Sequence, residues 1–312
     1  MTRAAELKRV FGQRLQEAVS LARFTSSRTG GSADFLIEIH SAGELQETAG
    51  GLWKIGEAFR VLGGGSNVLV ADEGVREVVV LNQARRARFD QAGSHPWVRA
   101  ESGASLGGVA RRAAERGLSG LEWAATVPGT VGGAVVGNAG AHGSDMAGSL
   151  ETAEILQRNQ RVEAWPVERF EYGYRTSWLK RHPGEAVVLT ASLRLVPSTR
   201  EAARAKVEAN VEVRQTTQPP GASWGSMFKN PPADYAGRLV EAAGMKGAQI
   251  GRAEISQRHA NFFINNGGAR ATDVARLLIQ ARRRVQEKTG IDLELEIELI
   301  GEWPPDLREA LA

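Results

Sequence analysis

Between residues 128 and 143 the chain reads Pro-Gly-Thr-Val-Gly-Gly-Ala-Val-Val-Gly-Asn-Ala-Gly-Ala-His-Gly, with glycine at 129, 132, 133, 137, 140 and 143. Glycine inside a regular element costs about 0.5–1 kcal/mol against alanine, so this density requires a compensating gain. Close backbone approach is that gain. Without Cβ atoms, several peptide N–H groups can converge on one ligand, and an anionic diphosphate suits such a cradle best. A second cluster, Gly63-Gly64-Gly65-Ser66-Asn67, lies between Val61-Leu62 and Val68-Leu69-Val70 and reads as strand, cradle, strand. A tight turn explains either cluster alone; the pair points to a phosphate-bearing cofactor. Neither cluster is a named phosphate loop. Gly63, Gly65 and Val68 miss the third glycine of G-x-G-x-x-G, and no G-x-x-x-x-G-K-[ST] occurs. The candidate cofactor residues are Gly63, Gly64, Gly65, Ser66 and Asn67, with Pro128, Gly129, Thr130, Gly132, Gly133, Asn138, Gly140, Ala141 and Gly143.

The 312 residues exceed one ordinary core, so two or three domains are expected. A hydrophobic share of 42% and a charged share of 24% are those of a soluble globular protein. Cysteine is absent, which excludes disulfides, thiolate metal sites and a cysteine nucleophile. His40, His95, His142, His182 and His259 form no H-E-x-x-H pattern, so no metal site is expected. Charges at Arg3, Glu6, Lys8, Arg9, Arg14 and Glu17 interrupt the apolar positions of the N-terminus, and no run of eighteen apolar residues follows. A cytoplasmic protein without a membrane partner is expected. A net charge of +3 favours anionic ligands but falls short of a nucleic-acid footprint.

Along the chain, Leu7, Val10, Phe11, Leu15, Ala18 and Val19 predict one amphipathic opening helix. Residues 33–39 predict a strand, and Ser41 with Glu44 the capping box of a second helix. Strands are expected at 76–81 and 97–101, with a helix over 105–116 and a short helix beginning at Pro128. Trp123 reads as core. Residues 153–156 and 162–167 suggest a hairpin, and 187–195 a further strand. A charged helix over 199–214 leads into Gln215-Thr216-Thr217-Gln218-Pro219-Pro220-Gly221, a junction read as a domain boundary. Beyond it come a helix over 235–243, a strand over 260–264, and a helix over 273–288 with Thr272 as N-cap and Gly290 as its stop. Residues 291–299 alternate apolar and acidic, predicting a strand whose wet face carries Asp292, Glu294, Glu296 and Glu298. Periodicity alone does not choose among those carboxylates.

Six motifs, taken in order, resemble the flavin-dependent UDP-N-acetylenolpyruvoylglucosamine reductases, the MurB family of peptidoglycan synthesis. They are Arg28-Thr29-Gly30-Gly31-Ser32-Ala33-Asp34, the stretch from Leu62 through Gly63 to Val70, and Gly120-Leu121-Glu122-Trp123 with the central glycines. The others are Tyr174-Arg175-Thr176-Ser177, Gly225-Ser226-Met227-Phe228-Lys229-Asn230-Pro231, and Ile250-Gly251 through His259-Ala260-Asn261-Phe262. The resemblance implies an α+β fold: a vanillyl-alcohol-oxidase-like FAD module of two sub-domains plus an α+β substrate-binding domain. The expected spans are 1–83 with 299–312 returning to it, 84–214, and 215–298. Lack of an evident tyrosine-bearing insertion in the last domain resembles the shorter family form.

The resemblance further implies FAD as cofactor, NADPH as co-substrate and UDP-N-acetylglucosamine enolpyruvate as the second small-molecule substrate, in a monomer. It carries three catalytic roles onto this chain: Ser226 as proton donor, Arg175 on the substrate carboxylate, and Glu296 on the C-terminal strand. Leu295 stands where the family usually has proline, so Glu294 is the rival if the register shifts. Arg175, Tyr174, Lys229, Asn230 and His259 are the implied substrate contacts. Read without the family, Ser226 is a turn former, Arg175 a surface cation and His259 an even choice between core and ligand. Two other functions fit the glycine clusters: an oxidase on the same cofactor module, and a non-catalytic FAD or nucleotide-binding protein. The oxidase gives the serine, arginine and glutamate motifs no work; the binding protein would be favoured if NADPH without oxygen left the flavin spectrum unchanged.

Overall fold

The opening amphipathic stretch is helical only as far as Phe11. Thr2 caps the helix Arg3–Phe11, its Oγ1 accepting from the Ala5 amide, and Gly12 ends it at φ 57°. Leu15–Ser20 is a strand, with Ala18 at φ 53°. The expected single helix through Leu15, Ala18 and Val19 is therefore corrected. The apolar repeat holds for Leu7 and Phe11, both buried, and breaks where glycine lets the chain turn.

The computed structural model describes residues 2–311; Met1 and Ala312, the outer limits of the expected first sub-domain and returning segment, lie outside the described residues. The chain divides into two compact units. The first takes the chain up to Gln16, Leu36–Gly64 and Val78–Arg214; the second takes Glu17–Phe35, Gly65–Glu77 and the chain from Gln215.

In the first unit, five antiparallel strands run in the order Val162–Pro166, Leu150–Gln157, Ala186–Arg194, Trp97–Glu101, Ala87–Asp90. The expected hairpin is the first pair, and Trp97–Glu101 has its expected bounds. Val98, Ala100, Leu193, Val109, Ala110, Val131 and Val135 close one core between this sheet and the helices Leu106–Ala114 and Val131–Gly137. Each fully buried valine or leucine there contributes about 1.5–3 kcal/mol. Ser41 caps the helix Ala42–Lys54, its hydroxyl accepting from the Glu44 amide, while the Glu44 carboxylate accepts from His40. The strand Phe59–Leu62 then pairs in parallel with residues 78–81. Trp123 is core, its indole donating to Ser149.

The second unit is built on four antiparallel strands in the order Ser223–Ser226, Phe262–Asn265, Ala253–Ile255, Gln249–Ile250. The helix Ala271–Thr289 buries Val274, Leu277, Leu278, Ala281 and Val285 against them, and Gly290 ends it at φ 74°. Its N-cap is Arg270, which corrects the expectation of Thr272. The amides of Ala271 and Thr272 donate to the carboxylate of Asp72, a distant residue that no local pattern reveals. Among the described residues, 291–297 form no strand and pair through a bridge between Leu295 and Phe228; the strand is Glu298–Ile300, parallel to Val68–Val70. The long strand expected over 291–299 is thus corrected to a short one. Together the units make the fold α+β.

Candidate active site

Gly63 and Gly64 meet the start of the central glycine stretch in the first unit. A Cβ on Gly63 would fall 2.4 Å from Oγ1 of Thr130, and one on Gly64 would fall 3.1 Å from Cα of Gly129. Gly129, at φ 99°, takes a backbone shape that side chains resist. Thr130 is the N-cap of Val131–Gly137, its Oγ1 accepting from Gly133 at 3.3 Å, so the helix begins after Thr130 and not at Pro128 as expected.

Packing explains some of these glycines and leaves others unexplained. Gly132 donates its amide to the Ser102 carbonyl at 2.7 Å, and its Cβ position lies 2.8 Å from Ser102 Cβ. The Val131 amide goes to the Ala104 carbonyl. The amides of Gly132 and Gly133 are both bonded within the protein, the first to the Ser102 carbonyl and the second to Thr130 Oγ1. Gly133 is nonetheless exposed; a Cβ there would meet Thr130 Oγ1 at 3.6 Å, and one on Gly137 would have open space around it outside its own helix backbone. No protein neighbour forbids a side chain at either place, so a smooth face kept for a ligand accounts for both. Ser102, which packs against Gly132, escaped the sequence reading; the signal was the small residues between the strand Trp97–Glu101 and the helix Leu106–Ala114.

Asn138, buried and left-handed at φ 44°, serves structure. Its Nδ2 donates to the Gly173 carbonyl and its Oδ1 accepts from Ala147. Gly140 and Ala141 pair with Asp145 and Ser144, and Gly143 follows at φ 78° with open space around it.

Arg175 reaches the same stretch. It occupies a tight turn closed by the bridge Gly173–Thr176 and takes φ 56°, an uncommon backbone for a long side chain. Its guanidinium donates to the Gly140 carbonyl at 3.0 Å and lies 5.4 Å from the ring centre of Tyr174, which is exposed. Lys180 donates to the Arg175 carbonyl. Non-glycine residues held at positive φ cost about 1–3 kcal/mol and cluster at functional sites.

In the second unit, Ser226 ends the strand Ser223–Ser226 after Gly225, which is at φ 75°. The amide of Glu296 donates to the carbonyl of Met227 at 2.9 Å, fixing the residue after Ser226 to the residue expected to assist it. Asn67 Nδ2 donates to the Glu296 carbonyl at 3.1 Å, and the Glu298 amide to the Asn67 carbonyl. Gly65 and Ser66 lead into this junction. A Cβ on Gly65 would lie 2.1 Å from the Phe24 carbonyl oxygen. Of the four acidic residues, Glu296 alone is half-buried; Asp292 pairs with Arg282, Glu294 with Lys229, and Glu298 is exposed.

The implied substrate contacts in this unit are partly engaged by the protein. The Asn230 carboxamide accepts from the Ala236 amide, at the start of the helix Ala236–Ala242. His259 Nδ1 accepts from the Asn261 amide, its ring meets Phe262 edge to face, and burial pushes its pKa down. Among the described residues no cluster of three or more histidine and acidic side chains suits a metal, and no helix is long and apolar enough to cross a membrane.

Two family models match the chain: one described as an FAD binding domain over residues 33–157, and one described as UDP-N-acetylenolpyruvoylglucosamine reductase, C-terminal domain, over 215–300. The glycine face fits that cofactor, and the class is a flavoprotein oxidoreductase that binds FAD. The UDP-N-acetylenolpyruvoylglucosamine reductases of Rubrobacter xylanophilus and Bacillus subtilis are 43% and 41% identical over 282 and 283 residues. Each match spans 90% of this chain, and 94% and 92% of theirs. The solved structure of the Thermus caldophilus enzyme, MurB, superposes with a TM-score of 0.78 at 37% identity, over 93% of this chain and 99% of that one. The chain belongs to the UDP-N-acetylenolpyruvoylglucosamine reductase family.

Proposed function

We propose that the protein reduces UDP-N-acetylglucosamine enolpyruvate to UDP-N-acetylmuramate with NADPH as electron donor, supplying peptidoglycan precursor in the cytoplasm as a monomer. The observation that carries the site assignment is the Glu296–Met227 hydrogen bond, which ties the Ser226 segment to the half-buried carboxylate. FAD, when bound, supplies the two-electron chemistry that no side chain offers. The chain supplies the rest. Reducing an enol ether conjugated to a carboxylate adds a hydride to one carbon, so that negative charge builds on the carboxylate, and then a proton to the neighbouring carbon. Ser226 gives that proton. A hydroxyl is a weak acid, but the carbon of an enolate-like intermediate is basic enough to take its proton when geometry is held. Glu296 polarises the donor or resupplies its proton. Arg175, already pre-set by its turn, grips the substrate carboxylate through its planar fork. Lys229, Tyr174, Asn230 and His259 contribute contacts to the sugar nucleotide. The glycines at 63–64, 129, 133 and 137, with Gly65 to Asn67, hold the cofactor.

The test is optical. The purified protein is expected to be yellow, to bleach with NADPH under nitrogen, and to recover its colour with the enolpyruvyl substrate. Recovery with oxygen but not with that substrate would favour an oxidase; no bleaching at all would favour a binding protein.

A further inference from the structure

The segment after Ser226 is held from two sides. On one side the Glu296 amide donates to the Met227 carbonyl and the Lys229 amide to the Glu294 carbonyl. On the other, the regular pairing of Ser223–Ser226 with Phe262–Asn265 is shifted by an irregularity, and it stops at Ser226 opposite Phe262. There the side chain of Asn261 takes over. Its Oδ1 accepts from the Phe228 amide at 2.9 Å, its Nδ2 donates to the Phe228 carbonyl at 2.8 Å, and its own carbonyl accepts from the Met227 amide at 2.9 Å. A carboxamide offers one acceptor and two donors in a plane, the same pattern a neighbouring peptide would present.

Asn261 is 3% exposed, between Ala260 and Phe262, both buried. A buried amide of this kind costs about 1–3 kcal/mol if left unsatisfied, so packing alone favours an apolar residue at such a place. We propose that Asn261 is a positioning residue for the reduction: its carboxamide replaces a missing stretch of strand and sets where Ser226 sits relative to the Glu296 segment. The inference rests on the reading of Ser226 as proton donor. Losing one or both carboxamide hydrogen bonds here leaves the unit's core of Trp224, Phe263, Val274 and Leu278 in place but lets residues 226–229 shift. Displacement of a reacting group by about 1 Å can cost on the order of 10²-fold in rate.

Asn261→Ala and Asn261→Asp, prepared as holoenzymes, test this. Asp keeps the shape and the acceptor for the Phe228 amide but loses the donor to its carbonyl. Both variants should bleach with NADPH at the wild-type rate and keep KM for the enolpyruvyl substrate within about threefold, while kcat falls about 10- to 100-fold. Hydrogen exchange should rise at the amides of Met227 and Phe228. Ser226→Ala is run alongside, as is the double variant Ser226→Ala with Asn261→Ala, which should lose no more than Ser226→Ala alone. An unchanged kcat in both Asn261 variants, or a fall in bleaching rate equal to the fall in kcat, overturns the positioning role. Full substrate turnover in Ser226→Ala would instead overturn the reading beneath it.

Discussion

Lys229 and Glu294 meet twice: the Lys229 amide donates to the Glu294 carbonyl at 2.8 Å, and the two side chains form an ion pair. That pairing assigns Glu294 a structural partner and fixes the register of the segment that carries Glu296. Asp292 is likewise engaged, by Arg282, whose guanidinium holds its carboxyl below the usual carboxylate range.

Neutralising the four carboxylates one at a time therefore separates them. Asp292→Asn, Glu294→Gln and Glu298→Gln should keep kcat within a few-fold of wild type, while Glu296→Gln should lose about 10²-fold or more, a loss usual for a group acting on a developing charge. Steady-state kinetics of the four variants is the check. Loss of activity in Glu294→Gln with Glu296→Gln intact would move the role two residues back.

At the glycine face the prediction concerns two adjacent positions. A Cβ on Gly133 would meet only Thr130 Oγ1, at 3.6 Å, so Gly133→Val should stay soluble, lose its flavin and melt with the flavin-free wild-type protein. Gly132→Val meets Ser102 at 2.8 Å and should cost about 1–3 kcal/mol by overpacking. Flavin absorbance per protein and thermal unfolding separate the two. A fully yellow Gly133→Val would remove that face from the cofactor site.

Arg175→Lys keeps the charge and loses the fork. Turnover should fall about 10²-fold with NADPH bleaching largely spared. Equal slowing of both half-reactions would show that Arg175 acts through the Gly140 segment it hydrogen-bonds and not on substrate.

His259 gives a pH dependence. Burial lowers its pKa in the folded protein below the 6.5 of an exposed imidazole, so the unfolded chain takes up a proton first as pH falls. The folded state then binds fewer protons than the unfolded one, and this residue's contribution to stability falls as pH drops through about 6.5. Urea unfolding between pH 8 and pH 5 should show a smaller acid loss in His259→Gln than in wild type; an identical loss would contradict the burial of a neutral ring.

Much of this was legible in the chain, because strong local signals agree with tertiary need. Ser41 and Glu44 cap a helix as their spacing says, Gly290 stops one, and the glycine clusters do come together at Gly64 and Gly129. What was not legible depends on partners far away in sequence. Asp72 caps the helix Ala271–Thr289 across nearly two hundred residues, as the separation of 199 between its partners shows. Residues 291–297 alternate like a strand yet find little to pair with beyond Phe228, and the left-handed backbone of Arg175 comes from the closed turn between Gly173 and Thr176. Periodicity records which face is apolar; it does not record whether a neighbouring strand exists.

The central claim is that Ser226 gives the substrate its proton and has no part in taking electrons from NADPH. Anaerobic stopped-flow absorbance of Ser226→Ala tests it most directly. The claim predicts normal flavin content and near-normal bleaching by NADPH, followed by no return of colour when the enolpyruvyl substrate is added. Slowed bleaching with prompt recovery of colour on adding substrate would contradict it.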